Sequence, residues 1–377
     1  MKTTTVKKSD ALLVLLFCLA LGGMLALFLL LPKEELSLKE KRVLAAPPRL
    51  TGTELLSGRF AEDAERYAAD HLPGRDFLVG LDARAAQLLG RQTAGEVYLC
   101  RDGRLVEAPA PYDEETIRRN VAALLDFAEQ APCPVDLLLV PSAGAVAEEG
   151  LPALADPYRD GEIIAAAYGM AEGRLQTLEL LPLFQAAEDP AGLYYRTDHH
   201  WTSRGAQLAA AAYLASIGRE SRAPEDYAVR REPDFRGSTY ARAALWSLPA
   251  EELELWDCGG RFQVENAETP GVHEGLFYEL RLAENDKYPV FLDGNHSLVR
   301  VRNLDGAGKG KLLLIRDSFG SSFACFLAED FEELVLVDLR YYREPVSELL
   351  AAEDFDRVLI LYSVGNFMTD SNIVKLD

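Results

Sequence analysis

The sequence predicts an α/β fold with a central parallel sheet, held outside a membrane by one amino-terminal helix. Two observations predict it. Near the carboxyl end, the apolar runs 311–315, 333–338 and 357–362 recur at short intervals. The first two each lead into a helix-like stretch, around 319–328 and 345–352, and the third ends at Gly365-Asn366. Strands joined through helices pair in parallel, and their ligands bind outside the carboxyl ends of the strands. Near the start, residues 11–31 are uncharged and almost wholly apolar, long enough for one helical crossing of a bilayer.

Taken in order, the chain divides as follows. Lys2, Lys7 and Lys8 precede the apolar run, so residues 1–10 read as a cytoplasmic tail and everything past Leu31 as extracytoplasmic. A cleaved signal peptide would have a shorter apolar core ending in small residues. Here the run ends Phe28-Leu29-Leu30-Leu31-Pro32-Lys33, and Cys18 follows the bulky Phe17, so residues 11–31 read as an uncleaved anchor. Residues 32–50, charged and containing Pro47-Pro48, read as a stalk. Apolar positions at helical spacing over 53–92, split by Pro73-Gly74, predict two membrane-proximal helices.

The ectodomain is expected over 93–377. It starts with a hairpin about Asp102-Gly103, a helix over 113–130 and a buried strand over 135–140. A helix around 161–180 follows. An alanine-rich helix over 204–217 is capped by Thr202 or Ser203 and stops at Gly218. Residues 225–305 are less regular and read as a β-rich insertion, with strands over 277–282 and 298–301.

Bulk composition narrows the partners. The net charge of −21 disfavours nucleic acid and anionic lipid, which need a basic face. Of five cysteines, Cys18 lies in the apolar run, and Cys100, Cys133, Cys258 and Cys325 are far apart with no CxxC. They read as buried thiols rather than a disulfide framework or a zinc site.

The chemistry concentrates in two places. Asp198-His199-His200-Trp201 offers a carboxylate and an imidazole two positions apart, and Arg316-Asp317-Ser318 offers a hydroxyl where a strand turns into a helix. A serine hydroxyl is a poor nucleophile until a histidine takes its proton, and a carboxylate best fixes that histidine's tautomer. Only five histidines are present, so few bases are available. Asn366, just past the 357–362 strand, could donate to an oxyanion, and Arg340 ends the neighbouring strand. The competing structural readings are a helix-capping Ser318, a capping Asp198 with a packed His200, and a turn asparagine. Asp-His-His also occurs in manganese phosphoesterases. That chemistry needs further aspartates and a preceding apolar run, which Tyr194-Tyr195-Arg196-Thr197 is not. No metal and no cofactor are therefore expected.

Thr197-Asp198-His199-His200-Trp201-Thr202 followed by Gly205 resembles the signature of DHHW-type proteins, relatives of the SGNH hydrolase-like proteins that O-acetylate alginate. Val97-Tyr98-Leu99 with Asp102-Gly103, Asp317-Ser318-Phe319, Asp338-Leu339-Arg340-Tyr341-Tyr342 and Gly365-Asn366-Phe367 agree with it, so the similarity spans roughly residues 35–377. In that family the serine follows the Asp-x-His pair, a permuted order relative to ordinary SGNH esterases, and this chain shares it. The resemblance implies an SGNH hydrolase-like three-layer sandwich with Ser318 as nucleophile, His200 as base and Asp198 as its orienter. SGNH analogy makes Asn366 an oxyanion donor, and Arg340, from its place at the end of the neighbouring strand, is a further candidate for contacting the acyl oxygen or an anionic acceptor. It implies an O-acetyltransferase or O-acetylesterase acting on a cell-surface or exported polysaccharide, with a membrane-bound O-acyltransferase as the partner supplying the acyl group. The rival expectation is a non-catalytic carbohydrate-binding or scaffold protein that keeps the fold.

Overall fold

The computed structural model describes residues 8–306 and 308–376. Lys2 and Lys7, on which the expected orientation of the anchor leans, lie outside the described residues. The chain forms two compact units, divided between Leu89 and Gly90.

The first unit begins with helix α1 (Lys8–Leu30), whose segment Ala11–Leu30 is long and apolar enough to cross a membrane and has no buried residues. A two-residue strand pair follows, β1 (Leu36–Ser37) and β2 (Arg42–Val43). Three helices then appear where two were expected: α2 (Gly52–Ser57), α3 (Arg59–Asp70) and α4 (Arg75–Leu88). The additional break is at Gly58, whose φ of 81° is a left-handed conformation that closes one helix and that only glycine adopts freely.

The second unit opens with a three-stranded antiparallel sheet, β3 (Thr93–Ala94), β4 (Val97–Leu99) and β5 (Leu105–Glu107). Helix α5 (Glu114–Gln130) is capped by Asp113, whose carboxylate accepts from the Glu115 and Thr116 N–H groups. Strand β6 (Val135–Val140) and the short helix α6 (Ala143–Val146) lead to α7 (Asp160–Ala171). The single helix expected around 161–180 ends at Ala171. Gly173, at φ 74°, reverses the chain into the short strand β7 (Gln176–Thr177), and a separate helix α8 (Leu180–Gln185) follows. Helix α9 (Ser203–Ser216) is capped by the Thr202 hydroxyl, which accepts from the Gly205 N–H.

The region from 225 to 305 differs from the expected insertion. Strands β8 (Ala228–Phe235) and β9 (Glu251–Asp257), separated by α10 (Ser238–Ala243), form a two-stranded sheet of their own. Strands β10 (Phe262–Asn266), β11 (Thr269–Glu274) and β12 (Leu298–Asn303) instead join the central sheet as antiparallel neighbours. The alternation over 277–282 is not a strand: Phe277 bridges to Phe291 and residues Glu279–Ala283 form a 3₁₀ turn. Phe277, Tyr278 and Leu282 pack against the main core without forming an extended strand.

The sequence then closes with β13 (Lys311–Arg316), α11 (Phe319–Cys325), β14 (Glu333–Val337), α12 (Val346–Ala352), β15 (Arg357–Ser363) and α13 (Val364–Thr369). The eight-stranded sheet runs β11-β10-β12-β14-β13-β15-β6-β7. The pairs from β14 to β7 are parallel and those from β11 to β14 antiparallel. Side chains of a strand alternate between faces, and both faces here are apolar. Leu312, Leu314, Leu359 and Leu361 pack with α8, α9 and α11. Leu313, Ile315, Val358 and Ile360 pack with α5, α7, α12 and α13 on the other side. That is a three-layer sandwich. Each leucine so enclosed contributes on the order of 1.5–3 kcal/mol, which fixes the central strands and the chain reversals at their ends.

Candidate active site

The carboxyl ends of β6, β13 and β15 lie on one edge of the sheet, and the chemistry gathers there. Ser318 follows β13 and starts α11, yet its hydroxyl does not cap that helix. The Oγ lies 2.7 Å from His200 Nε2. His200 Nδ1 lies 2.5 Å from Asp198 Oδ1, and the same oxygen accepts from the His200 backbone N–H at 2.9 Å. An ionised carboxylate only accepts, so Nδ1 carries the hydrogen and Nε2 is the free base facing the serine. Ser318, His200 and Asp198 are all at least nine-tenths buried. Burial alone would raise the Asp198 carboxyl, but the His200 and His199 imidazoles and the hydrogen bonds from His200 hold it well below the usual carboxylate range. It is therefore ionised at neutral pH.

The Asp198–Trp201 loop belongs to no helix or long strand. Tyr194 and Trp201 bridge across its base, and elements drawn from the 225–305 region cradle the rest. The Ser238 N–H at the start of α10 donates to Asp198 Oδ2 at 2.6 Å. Glu251, opening β9, accepts from the backbone N–H groups of Arg196 and Thr197 at 2.8 and 2.7 Å. Gly237 lies so close that a Cβ there would fall 2.1 Å from Asp198 Oδ2, so no side chain fits. Tyr288 stacks on His200, with ring centroids 3.8 Å apart and planes 8° from parallel. Its hydroxyl and the Trp201 indole N–H both reach Ser322 Oγ, at 3.0 and 2.9 Å. Sequence reasoning missed Gly237, Ser238, Glu251 and Tyr288, and no local pattern marks any of them.

The serine corner is held differently. Asp317 is buried; its Oδ1 accepts from the Phe319 N–H at 3.0 Å. Its Oδ2 accepts from the Ser363 N–H, the Ser363 hydroxyl and Asn366 Nδ2, each at 2.8 Å. Asn366 thus lies in α13 with one amide hydrogen on Asp317, and the Phe319 N–H is likewise taken. The Ser318 N–H has no partner among the described residues. Arg340 forms a two-pronged pair with Asp338, at 2.9 and 2.6 Å, and Arg316 lies fully buried 3.5 Å from the same carboxylate. Burial pulls the Arg316 guanidinium down from its ordinary value.

A cavity of about 460 Å³ opens beside the site. The β5 hairpin with Glu107, Ser142 after β6, Arg242 of α10, His199 and Asn366 line it. Arg340 is not part of that lining. Asp198, His199 and His200 bring one ligand atom each within 4.8 Å of one another, a spacing that would suit a cation. Both ring nitrogens of His200 and both oxygens of Asp198 are already engaged in the hydrogen bonds above.

A family model described as DHHW protein matches residues 181–337. A second, described as SGNH hydrolase-like domain, acetyltransferase AlgX, matches residues 109–248. No curated protein matches the chain. Among solved structures, a DHHW family protein from Eubacterium siraeum superposes with a TM-score of 0.63 at 18% identity, over 75% of this chain and 96% of its own. Bacillus cereus PatB1, solved with a sulfonyl adduct, does so with a TM-score of 0.63 at 21% identity, over 74% and 98%. The chain carries the SGNH hydrolase-like fold and is similar to DHHW-type, acetyltransferase-related proteins.

Proposed function

We propose that this chain is a membrane-anchored, extracytoplasmic serine acyl-transfer enzyme that moves an acetyl group onto or off a cell-surface or exported polysaccharide. The observation that carries this reading is the continuous hydrogen-bond chain Asp198–His200–Ser318, built from residues 118 positions apart. It contains a nucleophile, a base with its free nitrogen on that nucleophile, and a buried carboxylate fixing the base's tautomer.

The chemistry follows from the geometry. Ser318 Oγ attacks the acetyl carbonyl while His200 Nε2 takes its proton, and the imidazolium is stabilised by Asp198. His200 then returns that proton to the departing alcohol oxygen as the C–O bond of the donor ester breaks. The acetyl group now sits on Ser318. An incoming hydroxyl, from a sugar or from water, gives its proton to His200 as its oxygen attacks, and Ser318 recovers the proton as it leaves. The unpartnered Ser318 N–H supplies one donor for the developing oxyanion. Asn366 is the second donor in this reading, turning its remaining amide hydrogen to the site. Arg340 would contact substrate only where the acceptor extends past Asp338. The acyl donor would come from a membrane-bound O-acyltransferase next to helix α1.

The test is cleavage of a small acetyl ester by the detergent-solubilised chain. Release of acetate that disappears in Ser318→Ala supports the reading. An ester left intact by the wild-type chain, with carbohydrate still bound, would favour the non-catalytic scaffold instead.

A further inference from the structure

His199 is the one imidazole of the DHHW loop that the triad leaves unused. Its ring lies 3.8 Å from that of His200, tilted by 37°, and is about a quarter exposed on the cavity wall. Its Nδ1 lies 2.5 Å from the Ser238 hydroxyl. Ser238 therefore holds both sides of the loop, with its backbone N–H on Asp198 and its side chain on His199. With that hydroxyl donating to Nδ1, the ring's own hydrogen would sit on Nε2. Burial, and then the neighbouring His200, lower the His199 imidazole, which keeps it neutral. The cavity it lines carries the carboxylates of Glu96, Glu107, Asp160 and Asp198 against the single guanidinium of Arg242. Arg242 is already paired with Glu107 at 2.8 Å.

We propose that this cavity is the acceptor subsite, that His199 Nε2–H holds the oxygen of the attacking sugar hydroxyl, and that the acceptor is an uncharged sugar rather than a uronate. The proposal rests on the acyl-transfer reading above and divides the labour between two adjacent imidazoles. His199 donates to a lone pair of the acceptor oxygen, leaving that oxygen's proton free for His200 Nε2. As the new C–O bond forms, the bond from the acetyl carbon to Ser318 Oγ breaks and the proton passes from His200 to the serine. Water, which fills no subsite, gains less from His199 than a bound sugar does. A uronate would place its carboxylate among the cavity's carboxylates, where like charges repel.

The experiment gives the full-length chain in detergent p-nitrophenyl acetate as donor and either a neutral cello-oligosaccharide or an oligogalacturonate as acceptor. Nitrophenol release measures acyl-enzyme formation, and acetylated sugar against free acetate measures how it partitions. The wild-type chain should acetylate the neutral sugar at least about tenfold better than the uronate. In His199→Ala the ratio of transferred to hydrolysed acetyl should fall about tenfold, as expected for one lost hydrogen bond. Ser238→Ala keeps the backbone N–H on Asp198 and removes only the hydroxyl, so it should move the ratio the same way by less. It carries the test if His199→Ala does not fold. An unchanged ratio in the variants, a preference for the uronate, or nitrophenol release with transfer to neither sugar would each overturn the proposal. Absence of nitrophenol release from the wild-type chain would instead sink the acyl-transfer reading on which it rests.

Discussion

The two halves of the candidate site are positioned by opposite means. Ser318 sits where a parallel strand, buried from Leu312 onward, turns into a helix, and Asp317 ties that turn to the end of β15. The Asp198–His200 loop has no such strand beneath it. It depends on a serine, a glycine, a glutamate and a tyrosine contributed by residues 237–288. Ser318 is therefore placed by the sheet, and His200 by the irregular region packed over it. Damage to the sheet should be costly everywhere, whereas damage to the cradle should be costly mainly to chemistry.

The sharpest test of that contrast removes the groups themselves. Ser318→Ala and His200→Ala should each lower acetyl-ester turnover by about 10⁴-fold or more, and the double variant should be hardly worse, because such residues act as a unit. Steady-state kinetics showing additive losses would mean the two act separately. Gly237→Ala comes next, since its methyl group must displace Asp198. We expect turnover to fall about 10²–10³-fold with overpacking costing on the order of 1–3 kcal/mol. A thermal melt and a rate, measured together, separate this from general unfolding.

Asn366→Ala asks whether α13 belongs to the chemistry or to the scaffold. As an oxyanion donor it should lower kcat by about 10²–10³ with little change in KM. Its bond to Asp317 adds a loss of stability of about 0.5–1.5 kcal/mol. A lowered melting temperature with intact kcat would leave it a clamp for the serine corner only.

The smallest effect is in the pH dependence of stability. The folded Asp198 carboxyl lies below its unfolded value, so the folded state binds fewer protons there. Its contribution is present above the ordinary carboxylate pKa and is lost only as pH falls through the depressed folded value. Denaturant midpoints of Asp198→Asn and wild type should therefore differ at neutral pH and converge in strong acid. A difference that persists to low pH would show that the substitution acts by packing rather than charge.

The same contrast explains what the sequence disclosed. A strand buried on both faces reads as an unbroken apolar run, so 311–315, 333–338 and 357–362 were legible, and with them the strand-end position of Ser318. The parallel core and the capped helix α9 followed from equally local signals. Gly237, Ser238, Glu251 and Tyr288 matter through contacts across tens of residues, and nothing near them in sequence reports those contacts. The 277–282 segment alternates like a strand, but its pairing stops at the bridge from Phe277 to Phe291 and the residues after it coil into a 3₁₀ turn. Likewise, no local signal showed that β10, β11 and β12 would extend the central sheet rather than stand apart.

One pairing in that sheet sets an order on the protein's assembly. Strand β6 lies between β15, the last strand described, and β7, a two-residue stub, and its register with β15 joins Val135 to Val358. A chain that emerges amino end first must keep most of β6's hydrogen-bonding edge waiting while more than two hundred residues are made, since long-range pairings form late. Until β15 docks, Asp317 lacks Ser363 and the serine corner has no fixed shape. A partly made chain therefore lacks a formed serine corner, and the candidate site is completed only when the fold itself is.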